Sequence, residues 1–193
     1  MVLASKNKGK IAEMRQLLES LDIELRSAFD YPELTDIRET GATMKENALI
    51  KARETFRITE GSSLADDSGL EVDALNLQPG VYSARYAGPD ASDAQNVGKL
   101  LRELNAYQSA ESRKARFKCV LAYMDQNGAR CFEGVCEGHI ANSRRGSSGF
   151  GYDPVFIPEG YDITFAEMGA EEKNKISHRG KALAKFREFM ESR

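Results

Sequence analysis

Ala65-Asp66-Asp67-Ser68-Gly69-Leu70-Glu71-Val72-Asp73-Ala74-Leu75 sets two adjacent carboxylates directly after an apolar lead-in, Ser63-Leu64-Ala65. Ser68-Gly69 has the composition of a turn. Leu70 and Val72 then alternate with Glu71 and Asp73, the period-2 pattern of a half-buried strand. The stretch therefore predicts strand, turn, strand. Two acids at a strand end repel each other unless they are solvated or share a cation. Mg²⁺ suits such a pair, because it is held by few carboxylates while it keeps waters and binds phosphates. An exposed Asp-Ser-Gly turn, hydrogen-bonded to its own backbone, fits the same residues.

Working outward, 193 residues suit one domain or one domain with a lobe. Hydrophobic residues make up 41%, enough for a core, and charged residues 30% with a net charge of −3, which argues against a nucleic-acid binder. Cys119, Cys131 and Cys136 form no CxxC. Reduced, buried thiols are expected, and His139 and His178 lie in unrelated contexts, which argues against zinc. The chain opens on Met1-Val2-Leu3-Ala4, which reads as a strand. No signal segment and no apolar run near membrane-spanning length is seen, so a cytoplasmic protein that engages neither membrane nor nucleic acid is expected.

Ser5-Lys6-Asn7-Lys8-Gly9-Lys10 follows the first strand. Ile11, Met14, Leu17, Leu18 and Leu21 then fall at helical spacing. A helix start among three lysines favours anions, and a solvated loop capped by Asn or Ser fits equally. Residues 23–27 alternate as a second strand, giving a βαβ-like start and an α/β class. Residues 29–36 read as a loop. Thr43 and Glu46 have capping-box spacing for a helix to about Thr59, with Leu49, Ala52 and Phe56 as its buried face. Glu39, just before Thr40-Gly41, has no such structural duty. Residues 81–88 read as a surface loop or a partner-facing one, which sequence alone does not separate. Ser92 and Gln95 repeat the capping box ahead of Val97, Leu100, Leu101 and Leu104. Residues 105–114 look like a flexible connection. Strands at 116–125 and 129–141 flank the hairpin turn Asn127-Gly128. Beyond a basic loop, glycines flank Phe150 in Gly149-Phe150-Gly151-Tyr152-Asp153, which would let backbone approach a flat ligand while the ring stacks on it, and a tight turn with core aromatics fits the same residues. Lys173, His178, Arg179 and Lys181 read as a basic cluster at the start of the final helix, whose buried face is Leu183, Phe186, Phe189 and Met190.

These motifs, in this order, resemble the inosine triphosphate pyrophosphatase family, the XTP/dITP diphosphatases or non-standard purine NTP pyrophosphatases. The residues that carry the likeness are Ser5 to Lys10; Glu39-Thr40-Gly41 with Glu46-Asn47-Ala48; Ala65 to Leu70 with Tyr82-Ser83-Ala84-Arg85-Tyr86; and Gly149 to Pro154 with Ser177-His178-Arg179-Gly180. The resemblance spans essentially the whole chain. It implies a single domain, 1–193, with a long mixed twisted sheet flanked by helices, two lobes and a central cleft. It also implies a homodimeric, Mg²⁺-dependent enzyme that cleaves ITP, dITP and XTP to the monophosphate and pyrophosphate. By position in the motifs, Asp67 is implied as general base and metal ligand, and Glu39 as the second ligand. Ser5, Lys6, Asn7, Lys8, Gly9, Lys10 and Ser68 are implied to hold phosphate and sugar. Phe150, Gly151, Tyr152, Asp153, Lys173, His178 and Arg179 are implied to hold the base and nearby phosphates.

The chemistry is self-consistent. Phosphoryl transfer needs positioning and charge neutralisation more than covalent help. A cation between Glu39 and Asp67 would reverse their repulsion of a polyphosphate. Adjacent strand residues point to opposite faces, so one of Asp66 and Asp67 is expected to face it, and spacing does not say which. A donor from His178 or Arg179 to a 6-oxo purine would leave donor facing donor with adenine, a mismatch worth on the order of 10⁴-fold. A pyrophosphatase for other nucleotides, or a non-catalytic nucleotide binder, would carry some of the same features.

Overall fold

The computed structural model describes residues 1–19, 21, 23–34 and 37–193. It shows an α/β fold built on a mixed sheet. β1 (Val2–Leu3) leads into α1 (Lys8–Leu18), and β2 (Arg26–Ser27) into α2 (Met44–Thr59). β3 (Ser63–Val72), β4 (Gln78–Pro79), α3 (Asp93–Glu103), β5 (Lys114–Asp125), β6 (Gly128–Ile140) and β7 (Phe156–Pro158) follow, then α4 (Ala170–Ile176) and α5 (His178–Glu191). The sheet order is β2-β1-β3-β5-β6-β7, with β4 on β3. β1 runs parallel to both β2 and β3, while β3/β4 and β6/β7 are antiparallel.

The expected turn at Ser68-Gly69 does not form, and β3 continues through it as a ten-residue strand. The reason lies in its neighbours. β3 pairs with β1 at Ser63 and Leu64, with β4 at Glu71 and Val72, and with the long strand β5, and strand pairing before and after the Ser68-Gly69 step competes with the local side-chain bonds by which Asp and Ser make turns. The strand is buried at nearly every position, so Ser63, Asp66 and Asp67 are interior residues, while Ser68 and Glu71 are half-buried.

Two compact units divide the chain. Unit 1 comprises Met1–Asp67, Cys119–Gly134 and Arg179–Arg193. Its core packs Leu3, Met14, Leu18, Leu64, Leu121, Leu183 and Phe186. The predicted α1 face is therefore right at Ile11, Met14 and Leu18, although the helix ends at Leu18 rather than reaching Leu21. Unit 2 comprises Ser68–Lys118 and Val135–His178. It packs Leu70, Val72, Val97, Leu100, Leu104, Phe117, Phe156 and Phe165.

Both predicted capping boxes form, at Thr43/Glu46 on α2 and Ser92/Gln95 on α3. The buried face of α2 differs from expectation. It consists of Met44, Asn47, Ala48, Lys51, Ala52 and Thr55, while Leu49 and Phe56 are half-buried. A polar stripe inside a protein calls for partners, because a buried polar group without them is costly. Residues 80–85, expected as loop, wind into a short 3₁₀ helix. Residues 105–114 are no loose connection either. Arg113 is buried, and its guanidinium donates to the carbonyls of Leu104, Tyr107, Ile140 and Ala141, which pins the segment. The second strand is short, only Arg26–Ser27 of the expected 23–27. In the loop expected over 29–36, Phe29 and Asp30 close a 3₁₀ turn, and positions 35 and 36 lie outside the described residues. Among the described residues Cys119, Cys131 and Cys136 form no disulfide. Among the described residues no helix is long and apolar enough to cross a membrane.

Candidate active site

Unit 1 gathers three basic and four acidic side chains around the middle of β3. Asp66 and Asp67 diverge as adjacent strand residues must. Asp66 takes Lys10 Nζ at 2.5 Å and Arg179 Nε at 3.1 Å. Arg179, 2% exposed, also pairs with Glu13 of α1. Asp67 turns to Lys51 Nζ at 2.9 Å, and the same ammonium lies 3.1 Å from Glu39 Oε1. Two carboxylates far apart in sequence thus converge on one cation. The loop that carries Glu39 is anchored separately, because Gly41 N donates to Asn47 Oδ1 at 2.8 Å. Asn47 is fully buried, and its Nδ2 has no hydrogen-bond partner among the described residues.

The two aspartates differ in acidity for a physical reason. Both pay a desolvation penalty that favours the neutral acid. For Asp66 that penalty is overcome by Lys10, Arg179 and Lys51, which hold it well below the usual carboxylate range. For Asp67 burial prevails over Lys51 and Lys10, with Glu39 adding to it, and its pKa is raised. A carboxylate displaced upward is the better proton acceptor near neutrality. Asp66 is committed to ion pairs and Asp67 is the basic one of the two.

The Ser5–Lys10 segment wraps the start of α1. Asn7 is the N-cap, its Oδ1 accepting from Lys10 N at 3.0 Å, and Asn7 N donates to Ser5 Oγ at 3.2 Å. Lys6 and Lys8 are exposed, Ser5 and Gly9 half-buried, and Lys10 reaches inward to Asp66. A helix N-terminus with lysines beside it is an anion-favouring terminus.

In unit 2 the Gly-Phe-Gly segment is shaped as its composition demands. Gly149 and Gly151 have φ of +77° and +60°. A Cβ at Gly149 would collide with the Asp153 carboxylate. That carboxylate accepts from Phe150 N at 2.9 Å and from Lys173 Nζ at 2.7 Å. The Lys173 ammonium also lies over the rings of Phe150 and Phe165, at 5.1 and 5.6 Å. Phe150 is half-buried, whereas Asp153 and Lys173 are buried. Tyr152 donates to Ser83 O at 2.8 Å, and His178 stacks on Phe117 at 4.6 Å between centroids. Ser68 sits half-buried on β3.

The basic residues expected at the start of the final helix lie on two helices. Ser177, extended at φ −67° and ψ 157°, separates Lys173 in α4 from His178 and Arg179 in α5. Lys173 is paired with Asp153, and Arg179 with Asp66 and Glu13, so each buried cation has its own carboxylate. Sequence reasoning missed Lys51, Asn47 and Glu13. A lysine and an asparagine four residues apart on the apolar side of an amphipathic helix were the available signal for the first two.

A family model for the Ham1 family matches residues 1–189. The chain belongs to the Ham1 family. Among its Ham1 relatives, the dITP/XTP pyrophosphatase of Bacillus anthracis is 48% identical over 190 residues, covering 97% of this chain and 94% of the relative. That of Geobacillus kaustophilus is 48% identical over 191 residues, covering 98% and 93%. Of solved structures, a HAM1 protein from Coxiella burnetii superposes with a TM-score of 0.90 at 45% identity, covering 100% of this chain and 98% of that one. The Ham1 protein of Staphylococcus aureus gives 0.88 at 38%, covering 99% and 97%. Family membership makes the chain an enzyme, a hydrolase of the pyrophosphatase kind.

Proposed function

We propose that this Ham1 protein hydrolyses ITP, dITP and XTP to the monophosphate and pyrophosphate with Mg²⁺, and so removes deaminated purine nucleotides from the pool. The observation that carries the reading is the convergence of Glu39 and Asp67 on one cation position. The donor set fits Mg²⁺, because two hard carboxylates leave the remaining positions to waters and phosphate oxygens. Mg²⁺ held by Glu39 and Asp67 would neutralise the polyphosphate charge those acids otherwise repel.

The chain's own residues would do the rest. Asp67 would orient and deprotonate the attacking water, as its raised pKa suits. Lys6, Lys8 and the α1 N-terminus would hold phosphate oxygens. In unit 2, Phe150 would stack on the base, with one face already under the Lys173 ammonium. His178 remains the proposed donor to a 6-oxo group. The working form is taken as a homodimer, as the resemblance implies.

The decisive measurement is pyrophosphate release from ITP, dITP, XTP, ATP and dTTP, with and without Mg²⁺. Release from the 6-oxo purine nucleotides alone, and only with metal, is the expected result. Equal release from ATP or dTTP would point to a different nucleotide specificity, and binding of ITP without release would point to a non-catalytic binder. Phe150→Ala should raise KM for ITP by about 1–3 kcal/mol equivalent, the usual worth of a base–aromatic stack. An unchanged KM in steady-state kinetics removes Phe150 from base recognition.

A further inference from the structure

Lys51 belongs to none of the motifs that carry the family likeness, yet it sits where the proposed cation would. Its side chain is 11% exposed, and its ammonium touches both Glu39 and Asp67. The core side of α2 would ordinarily take an apolar residue. A long ammonium stem there is costly unless a charge requires it. What requires it is the acid pair: two carboxylates this close, without a cation, repel each other and spread apart.

We propose that Lys51 is a tethered stand-in for the divalent cation, a reading that rests on Glu39 and Asp67 being the metal ligands. In the metal-free protein its ammonium keeps the two carboxylates converged. Metal binding displaces it from both, and the displaced ammonium, still on its α2 stem, is left to meet the anionic charge of the phosphates. Lys51 is thus a positioning residue whose presence opposes metal binding in the nucleotide-free protein. Placement of the Glu39 loop does not depend on it alone, since the Asn47–Gly41 bond holds that loop independently. Removing the ammonium therefore separates competition from placement.

The test is calorimetric titration of Mg²⁺ into nucleotide-free protein. Lys51→Met should bind Mg²⁺ at least about tenfold more tightly than wild type, because a full charge beside the ion is removed, while its pyrophosphate release falls. If wild-type binding is too weak to measure, the appearance of measurable binding in the variant is the same result. Lys51→Gln, smaller and still a donor toward Asp67, should shift affinity in the same direction and replaces the methionine variant if that one does not fold. Affinity equal to or weaker than wild type in a folded variant, or no measurable binding in either protein, overturns the stand-in role. Glu39→Gln distinguishes this from failure of the underlying reading. If Glu39→Gln weakens Mg²⁺ binding but Lys51→Met does not tighten it, only the stand-in fails. If Glu39→Gln leaves binding unchanged, Glu39 is no ligand and the metal assignment itself fails.

Discussion

Asp67→Asn lowers turnover by about 10³-fold, within the range for loss of a general base, and leaves the protein folded. Asparagine keeps the volume and loses the negative charge and one acceptor oxygen. The fold tolerates the change for reasons visible around the residue. Burial already pushes the Asp67 carboxyl toward its neutral form, so a neutral isostere costs little. Lys51 keeps Glu39 at 3.1 Å, so no ammonium is stranded. Single-turnover pyrophosphate release measures the first effect and a thermal melt the second. A variant that turns over at the wild-type rate removes Asp67 from the chemistry. A variant that unfolds shows that the Lys51–Asp67 pair is structural.

Arg179→Met should have the opposite signature, a large loss of stability. Arg179 is buried between Asp66 and Glu13, and Asp66 is wholly buried. Removing one member of a buried, hydrogen-bonded ion pair typically costs about 3–5 kcal/mol. For a chain of this size that is a drop of about 6–20 °C in melting temperature. Glu13 is harmed less, since it retains some exposure. The pH dependence has a definite sign. The pKa of Asp66 is depressed in the folded state, so its stabilisation is complete above the ordinary aspartate value of 3.8 and is lost as pH falls toward the folded value. The gap between wild type and Arg179→Met should therefore be full near neutrality and narrow below about pH 4. Denaturant melts across pH test both the size and the trend. An unchanged melting temperature, with lost preference for 6-oxo purines, would return Arg179 to the base-reading role implied by the motif.

These two variants separate what adjacent letters leave joined. Asp66 and Asp67 are the same residue type in the same stretch, and no local signal ranks them. Their difference arises because β3 presents one to Lys10 and Arg179 and the other to Lys51 and Glu39.

What the chain determines by itself are features governed within a few residues. The Thr43/Glu46 and Ser92/Gln95 capping boxes, the hairpin turn whose second residue is Asn127, with Gly128 opening β6, and the apolar face of α1 need only neighbours three or four positions away. The motif order also carries family membership. Only the tertiary structure decides that Ser68-Gly69 runs straight, because the strands that pair with β3, namely β1, β4 and β5, come from elsewhere in the chain. Only it reveals Lys51 between two acids and Arg179 inside unit 1, pairings that span 16 and 113 residues from their aspartates. Charge pairs at such separations have no local pattern. They exist because packing removes water from both partners at one place, and that place is set by the fold as a whole.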